Sequence, residues 1–107
     1  MKTSALAICG LVLMPFVLSA AGDAKAGEAT YTARCKSCHG ADGSGNPAIA
    51  KMMKVEMKAL GSADVQQKSD ADLKAVIANG TGKMKPVSGI AGGDADNLVA
   101  YVRSLKK

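Results

Sequence analysis

The stretch that decides the fold is Cys35-Lys36-Ser37-Cys38-His39, which reads CKSCH. On one helical turn, two thiols three residues apart face the same side and can reach both vinyl groups of a single porphyrin. Each thiol would then form a thioether, and the imidazole that follows Cys38 would offer a nitrogen to the iron. This C-x-x-C-H spacing is the pattern of covalent haem attachment. The sequence therefore predicts one haem c, attached to Cys35 and Cys38, with His39 as an axial iron ligand.

Other interpretations of the same segment fit the residues less well. A structural zinc site uses four ligands, whereas the segment offers two Cys and the only His of the chain. An iron–sulfur cluster usually takes four Cys, and a thioredoxin-like dithiol belongs to a βαβ setting that this sequence lacks. A plain disulfide would leave His39 without a role, and closing so short a loop stabilises little.

The first 21 residues have the composition of a secretory signal. Lys2 precedes an apolar run from Ala5 to Leu18, and the small residues Ser19-Ala20-Ala21 follow it. A basic start, a short apolar middle and small residues before the cleavage point are typical of exported proteins. The run is too short to make a good membrane span. We predict cleavage after Ala21, so that residues 1–21 are the signal peptide and residues 22–107 are one domain located in the periplasm.

The mature domain is small and poor in large apolar side chains. It contains no Trp or Phe, and its aromatic residues are Tyr31 and Tyr101. A domain of about 86 residues buries only about 60–65% of its unfolded surface. We therefore expect a prosthetic group or another cross-linking feature to stabilise the fold. The net charge of the whole chain is +5, and its cations are scattered, which does not support nucleic-acid binding.

Helix caps and apolar periodicity predict an all-α domain, because no stretch shows the clean alternation of a half-buried strand. The last helix carries an apolar stripe at i, i+3, i+4 and i+7. The first predicted helix runs from Ala24, capped by Asp23, to Cys38, and the second runs from Pro47 to Met53. The third is capped by Ser69, ends at Asn79-Gly80 and carries Leu73, Val76 and Ile77 on one face. The fourth begins at Asp94 or Asp96, and its apolar stripe consists of Leu98, Tyr101, Val102 and Leu105.

The second axial ligand must be Met or Lys if it comes from this chain, since no second His exists. Met84 is favoured because it lies in the Gly-rich segment Gly80–Pro86, where glycine permits the close approach of backbone to haem. The other candidates are Met52, Met53 and Met57, whose alternative role is to fill gaps in the core. An open iron or a Lys-ligated iron also stays possible at this stage.

These residues resemble class I (mitochondrial-like) c-type cytochromes of the small bacterial monohaem branch. The similarity covers essentially the whole mature chain. One difference is Lys85, which separates Met84 from Pro86 where many relatives have Met-Pro directly. The similar segments are Gly27–Tyr31, Cys35–Gly45, Gly80–Pro86 and Leu98–Leu105.

The resemblance implies a compact all-α fold around one haem with His/Met ligation. It also implies that the first helix packs on the last, with Gly27 allowing a close approach and with Tyr31 and Tyr101 nearby. The Pro47 carbonyl would accept a hydrogen bond from His39 and so orient the ring. Because the chain has no Trp to contact a haem propionate, the candidates for that contact are Asn46, Lys51 and Lys54.

A one-electron carrier is the function that the resemblance implies, acting as a monomer without a stable membrane anchor and not as an enzyme. The expected partners are redox proteins with acidic docking surfaces, which would meet the haem edge near Lys36, Lys83 and Lys85, with Lys51 and Lys54 extending the patch. The alternative is a haem enzyme or gas sensor in which Met84 leaves the iron, although no further His is present for acid–base chemistry. A haem-free dithiol or metal-binding module is the third possibility.

Overall fold

Helices account for the regular structure of the chain over residues 22–90 and 92–107, which this computed structural model describes. Within those residues no strand forms beyond a single bridge that pairs Thr81 with Met84, so the all-α prediction is confirmed. In chain order the helices are α1 (Ala24–Arg34), α2 (Lys36–His39), α3 (Pro47–Met53), α4 (Ala63–Gln66), α5 (Asp70–Asn79) and α6 (Gly93–Ser104). The predicted signal peptide lies outside the described residues.

The first predicted helix is in fact two helices that meet at Cys35. Asp23 caps α1 as expected, because its carboxylate accepts a hydrogen bond from the Lys25 N–H at 2.9 Å. The Cys35 N–H closes α1 on the Tyr31 carbonyl. The chain then tightens into α2, in which the Cys38 N–H bonds back only three residues, to the Cys35 carbonyl, at 3.2 Å. The attachment motif therefore occupies a short turn of its own, which periodicity alone did not separate from α1.

The core forms where α1 crosses α6. Tyr31 and Leu98 are each only 1% exposed, and Val99 and Val102 lie buried beside them. The rings of Tyr31 and Tyr101 pack with their centroids 5.0 Å apart and their planes tilted by 51°, a geometry that aromatic pairs favour. The packing of the first helix on the last, which the resemblance implied, is confirmed.

Gly27 is the point of closest approach between these two helices. A Cβ at this position would overlap the carbonyl oxygen of Asn97 and would lie 3.0 Å from the Tyr101 Cβ. No larger residue fits without pushing the helices apart. The expected role of Gly27 in the helix crossing is therefore confirmed.

Helix α5 adds the second layer of the core. Ser69 caps it as predicted, since its hydroxyl accepts from the Asp72 N–H at 3.1 Å, and Gly80 ends it with a φ of +74°. Leu73 and Ile77 are buried against α6. Val76, expected on the same face, is only half-buried.

Helix α6 begins at Gly93, one residue before the first of the two predicted starting points. Its cap residue is Gly92, whose φ of +58° lies in the region that glycine favours. Asp94 and Asp96 fall instead in the first turn, where negative charge stabilises the helix dipole. Leu105, the last position of the predicted stripe, lies just beyond the end of the helix at Ser104.

A short helix that the sequence did not predict, α4, is tied to α6 by side chains. The Gln66 amide donates to the Val102 carbonyl at 2.9 Å. The Arg103 guanidinium donates to the Gln66 carbonyl at 2.8 Å and to the Asp70 carboxylate. Four residues show too little periodicity to be recognised, and the bonds that hold them span more than 30 positions of sequence.

Candidate functional site

The attachment motif faces a cavity of about 760 Å³. Three segments line it: the motif at the end of α1 and in α2, parts of residues 53–58 after α3, and residues 81–87 after α5. Its volume falls within the range of about 300–1,000 Å³ that small-molecule and cofactor sites occupy. The cavity is thus large enough for a prosthetic group and is built from segments far apart in sequence.

Both cysteines of the motif are half-buried thiols that line this cavity and form no disulfide. Burial raises the pKa of the Cys35 thiol, and the charge of Arg34 only partly opposes that shift. The short turn that closes α2 brings Cys38 back over Cys35. Two thiols on one turn, facing one cavity, are the arrangement that the spacing predicted.

His39 lines the same cavity and carries a buried polar atom with no partner. Its Nδ1 is sealed from solvent and forms no hydrogen bond within the described part of the chain. Burial lowers the pKa of the ring, which favours the neutral imidazole, the form that binds metals. A buried polar atom without a partner needs a physical explanation, and a group bound in the cavity would supply one.

The hydrogen bond from His39 to the Pro47 carbonyl, which the resemblance implied, does not form in this structure. Pro47 instead begins α3, directly after its cap Asn46. Asn46 ties that start to the motif: its backbone N–H donates to the Cys38 carbonyl at 2.9 Å, and its side-chain amide donates to the Ser37 carbonyl at 3.1 Å. Proximity of α3 to the motif is therefore established, whereas the orienting role of Pro47 stays a prediction.

Tyr31 supports the motif from the core side. Its hydroxyl donates to the Gly40 carbonyl at 2.5 Å, just after the end of α2. Burial raises the pKa of this phenol to about 12, so the hydroxyl keeps its proton and stays a donor. One core residue thus joins the helix crossing to the segment that carries Cys35, Cys38 and His39.

Met84 reaches the cavity from the loop after α5. A tight turn presents it: the Thr81 N–H donates to the Met84 carbonyl at 3.1 Å, and the Met84 N–H donates to the Thr81 carbonyl at 2.8 Å. Gly82 has a φ of +55°, which a two-residue hairpin turn needs at its first central position. Met84 therefore lines one cavity with His39, although 45 positions separate the two residues in sequence.

The competing methionines are placed differently from one another. Met53 and Met57 line the cavity, whereas Met52 does not and is 71% exposed. Sequence position alone did not distinguish these neighbours. Met52 points away because α3 turns consecutive side chains by about 100°.

Several cations lie at the cavity, but they are only in part the expected ones. Lys83 and Lys85 line it, whereas Lys36 is exposed beside it in α2 and outside the lining. Asn46, Lys51 and Lys54, the candidates for contact with the propionates, do not line the cavity. Two lining cations were missed by the sequence reasoning, Arg34 and Lys58.

The residues present fit a covalently attached haem. Two thiols on one turn, a neutral imidazole and a thioether line a single cavity of suitable size, and each is a known haem anchor or axial ligand.

Comparison with known proteins points to the same class. Over 92 residues the chain is 35% identical to cytochrome c-554(547) of Halothiobacillus neapolitanus, which covers 80% of this chain and all of that protein. The structure of this chain is similar to that of the KustC0563 c-type cytochrome, with a TM-score of 0.64 and 28% sequence identity. The match covers 76% of this chain and 98% of that one.

The fold and the cavity, taken with these similarities, define a small c-type cytochrome. Within that class the chain belongs to the family described as cytochrome c oxidase, cbb3-type, subunit III, which it matches over residues 22–102. The class I resemblance is thereby confirmed, and membership implies haem c and electron transfer. None of the described helices is long and apolar enough to cross a membrane.

Proposed function

We propose that the protein is a periplasmic carrier of single electrons with one covalently attached haem. The observation that carries the proposal is that Cys35, Cys38, His39 and Met84 line one cavity. When bound, haem supplies an iron that accepts and releases one electron, and a Met ligand opposite a His raises its reduction potential. The two thiols would anchor the group, while the imidazole of His39 and the thioether of Met84 would supply the iron ligands.

The surrounding chain ties the segments around this site together. Tyr31 holds the end of α2 through its bond to the Gly40 carbonyl, and Asn46 holds the start of α3 to the motif. Val55, Pro86 and Val87 supply apolar wall to the cavity, as is usual for cofactor sites. With His39 and Met84 both on the iron, such a site would suit electron transfer and would leave no iron position for a substrate.

Optical spectra of the purified ferric and ferrous protein test the proposal. The pyridine adduct should show two thioethers in the wild type and one in Cys35→Ala or Cys38→Ala, if those variants mature. Haem that acid–acetone extracts readily from the wild type would refute covalent attachment.

The axial ligand has its own test. Met84→Ala should abolish the ferric Met–iron charge-transfer band and lower the reduction potential, because the ligand that favours ferrous iron is lost. Met53→Leu and Met57→Leu are the matched controls, since they line the same cavity and nearly conserve volume; both should keep the band. Loss of the band in a control, with Met84→Ala unchanged, would reassign the ligand.

We further propose that partners with acidic surfaces dock beside the cavity, where Lys85 lines the opening and Lys36 lies exposed in α2. Such charges raise the encounter rate more than the affinity. Lys36→Glu with Lys85→Glu should slow electron transfer to an acidic acceptor at about 0.01 M salt and matter little at about 0.1 M, because the Debye length shortens from about 30 to about 10 Å. Electron-transfer rates that respond neither to the charge reversals nor to the salt concentration would exclude this docking surface.

Export to the periplasm follows from the predicted signal peptide. The mature protein in a periplasmic extract should begin at or near Gly22, as N-terminal sequencing would show. An intact N-terminus at Met1 in the haem-loaded protein would contradict the proposal.

A further inference from the structure

One side chain connects the loop that carries Met84 to the segment across the cavity. The Lys83 ammonium donates a hydrogen bond of 2.6 Å to the backbone carbonyl of Met53, 30 positions away in sequence. Lys83 and Met53 both line the cavity. The bond therefore spans between two walls of the site rather than stabilising one wall alone.

The Met53 carbonyl has a physical need for such a donor. It is the last residue of α3, and the final carbonyls of a helix lack partners within the helix. Lys54, which follows in the left-handed region with a φ of 55°, satisfies the Ala50 and Lys51 carbonyls through its N–H. The Met53 carbonyl is left facing the loop, and a cation is the favoured partner at this negative end of a helix.

The remaining bonds of the loop do not cross the cavity. The turn bonds of Thr81 and Met84 are internal to it, and the Val87 N–H donates to the Ile77 carbonyl in α5. Among the described residues, the side chain of Lys83 is thus what joins the ligand-bearing turn to α3. A hydrogen bond from a charged donor is shorter and stronger than one between neutral groups.

We propose that Lys83 is a positioning residue that clasps the loop over the cavity and so keeps Met84 on the iron. The inference rests on the proposed ligation by Met84. Lys83 is adjacent to Met84 within the turn, and an anchored neighbour restricts how far the thioether can swing away. Losing the clasp raises the fraction of molecules in which the distal position is open.

Binding of imidazole to the ferric protein measures that open fraction, because imidazole replaces the Met ligand and its apparent Kd varies inversely with the competent population. Lys83→Leu, which removes donor and charge, should lower the apparent Kd about fivefold, equivalent to about 1 kcal/mol. Lys85→Leu is the matched control: it removes the same charge from the same cavity, and Lys85 forms no bond to α3 in the described part of the chain. It should change the Kd less than twofold.

Lys83→Arg keeps a charged donor of similar reach and should restore the wild-type Kd to within twofold. Denaturant unfolding of each variant separates loss of the clasp from general destabilisation. If Lys83 acts as a clasp, the change in the free energy of imidazole binding should be larger than the change in the free energy of unfolding. Equal imidazole affinities for Lys83→Leu and Lys85→Leu, with the Met–iron band present in both, would overturn the clasp alone. A wild type without that band would overturn the ligation by Met84, and the clasp with it.

Discussion

Replacing Gly27 with Ala should drive α1 and α6 apart. An added Cβ would lie 2.5 Å from the Asn97 carbonyl carbon and 3.0 Å from the Tyr101 Cβ, whereas carbon atoms pack at about 3.5–4.0 Å. The helices must therefore separate by about 1 Å at their crossing. The contact is with backbone, so no rotamer change can relieve it, and the gap opens beside Tyr31 and Leu98, each 1% exposed.

The expected cost of Gly27→Ala is about 3 kcal/mol, at the upper end of overpacking penalties. For a domain of this size each kcal/mol lowers the Tm by about 4–8 °C, so a fall of at least about 12 °C should follow. Denaturant unfolding of the haem-loaded protein, followed by circular dichroism, measures the free energy directly.

Gly93→Ala supplies the matched control, because its Cβ would meet nothing within 4 Å in the same helix pair. It should raise the free energy of unfolding by about 0.5 kcal/mol, since Ala is the better helix residue. The close approach of the helices would be refuted by a Gly27→Ala variant whose stability lies within about 1 kcal/mol of the wild type.

Two further outcomes are expected. Burial raises the pKa of Tyr31 to about 12 against an ordinary value of 10.0, so unfolded chains lose this proton first as the pH rises. The stability that the protonated phenol contributes is therefore present below pH 10 and is lost as pH rises towards 12. Tyr31→Phe should lack that part of the decline, and stability curves of the two proteins that stay parallel from pH 9 to 12 would contradict it. Arg103→Met should cost about 1–2 kcal/mol in denaturant unfolding, because the guanidinium bonds to the Gln66 carbonyl and the Asp70 carboxylate are lost. An unchanged midpoint would show that water replaces those bonds fully.

Local signals carried most of what the sequence predicted correctly. Asp23 and Ser69 cap their helices because a cap needs only its own side chain and an N–H two or three residues on. Pro47 begins α3 because its fixed φ suits the first turn of a helix. The start of α6 was misplaced because Gly92, and not an acidic residue, takes the cap position.

By itself the sequence predicted the helical class, which the structure confirms, and it singled out Cys35, Cys38 and His39 as the predicted haem anchor, since their spacing has meaning within a single helical turn. It also marked Met84 through the glycines around it. Only the tertiary structure decided which residues share the cavity: it placed Met52 outside and added Arg34 and Lys58. The reason is physical. Cavity walls and the helix crossing depend on contacts between segments tens of residues apart, whose direction is set by packing and not by any local preference of the chain.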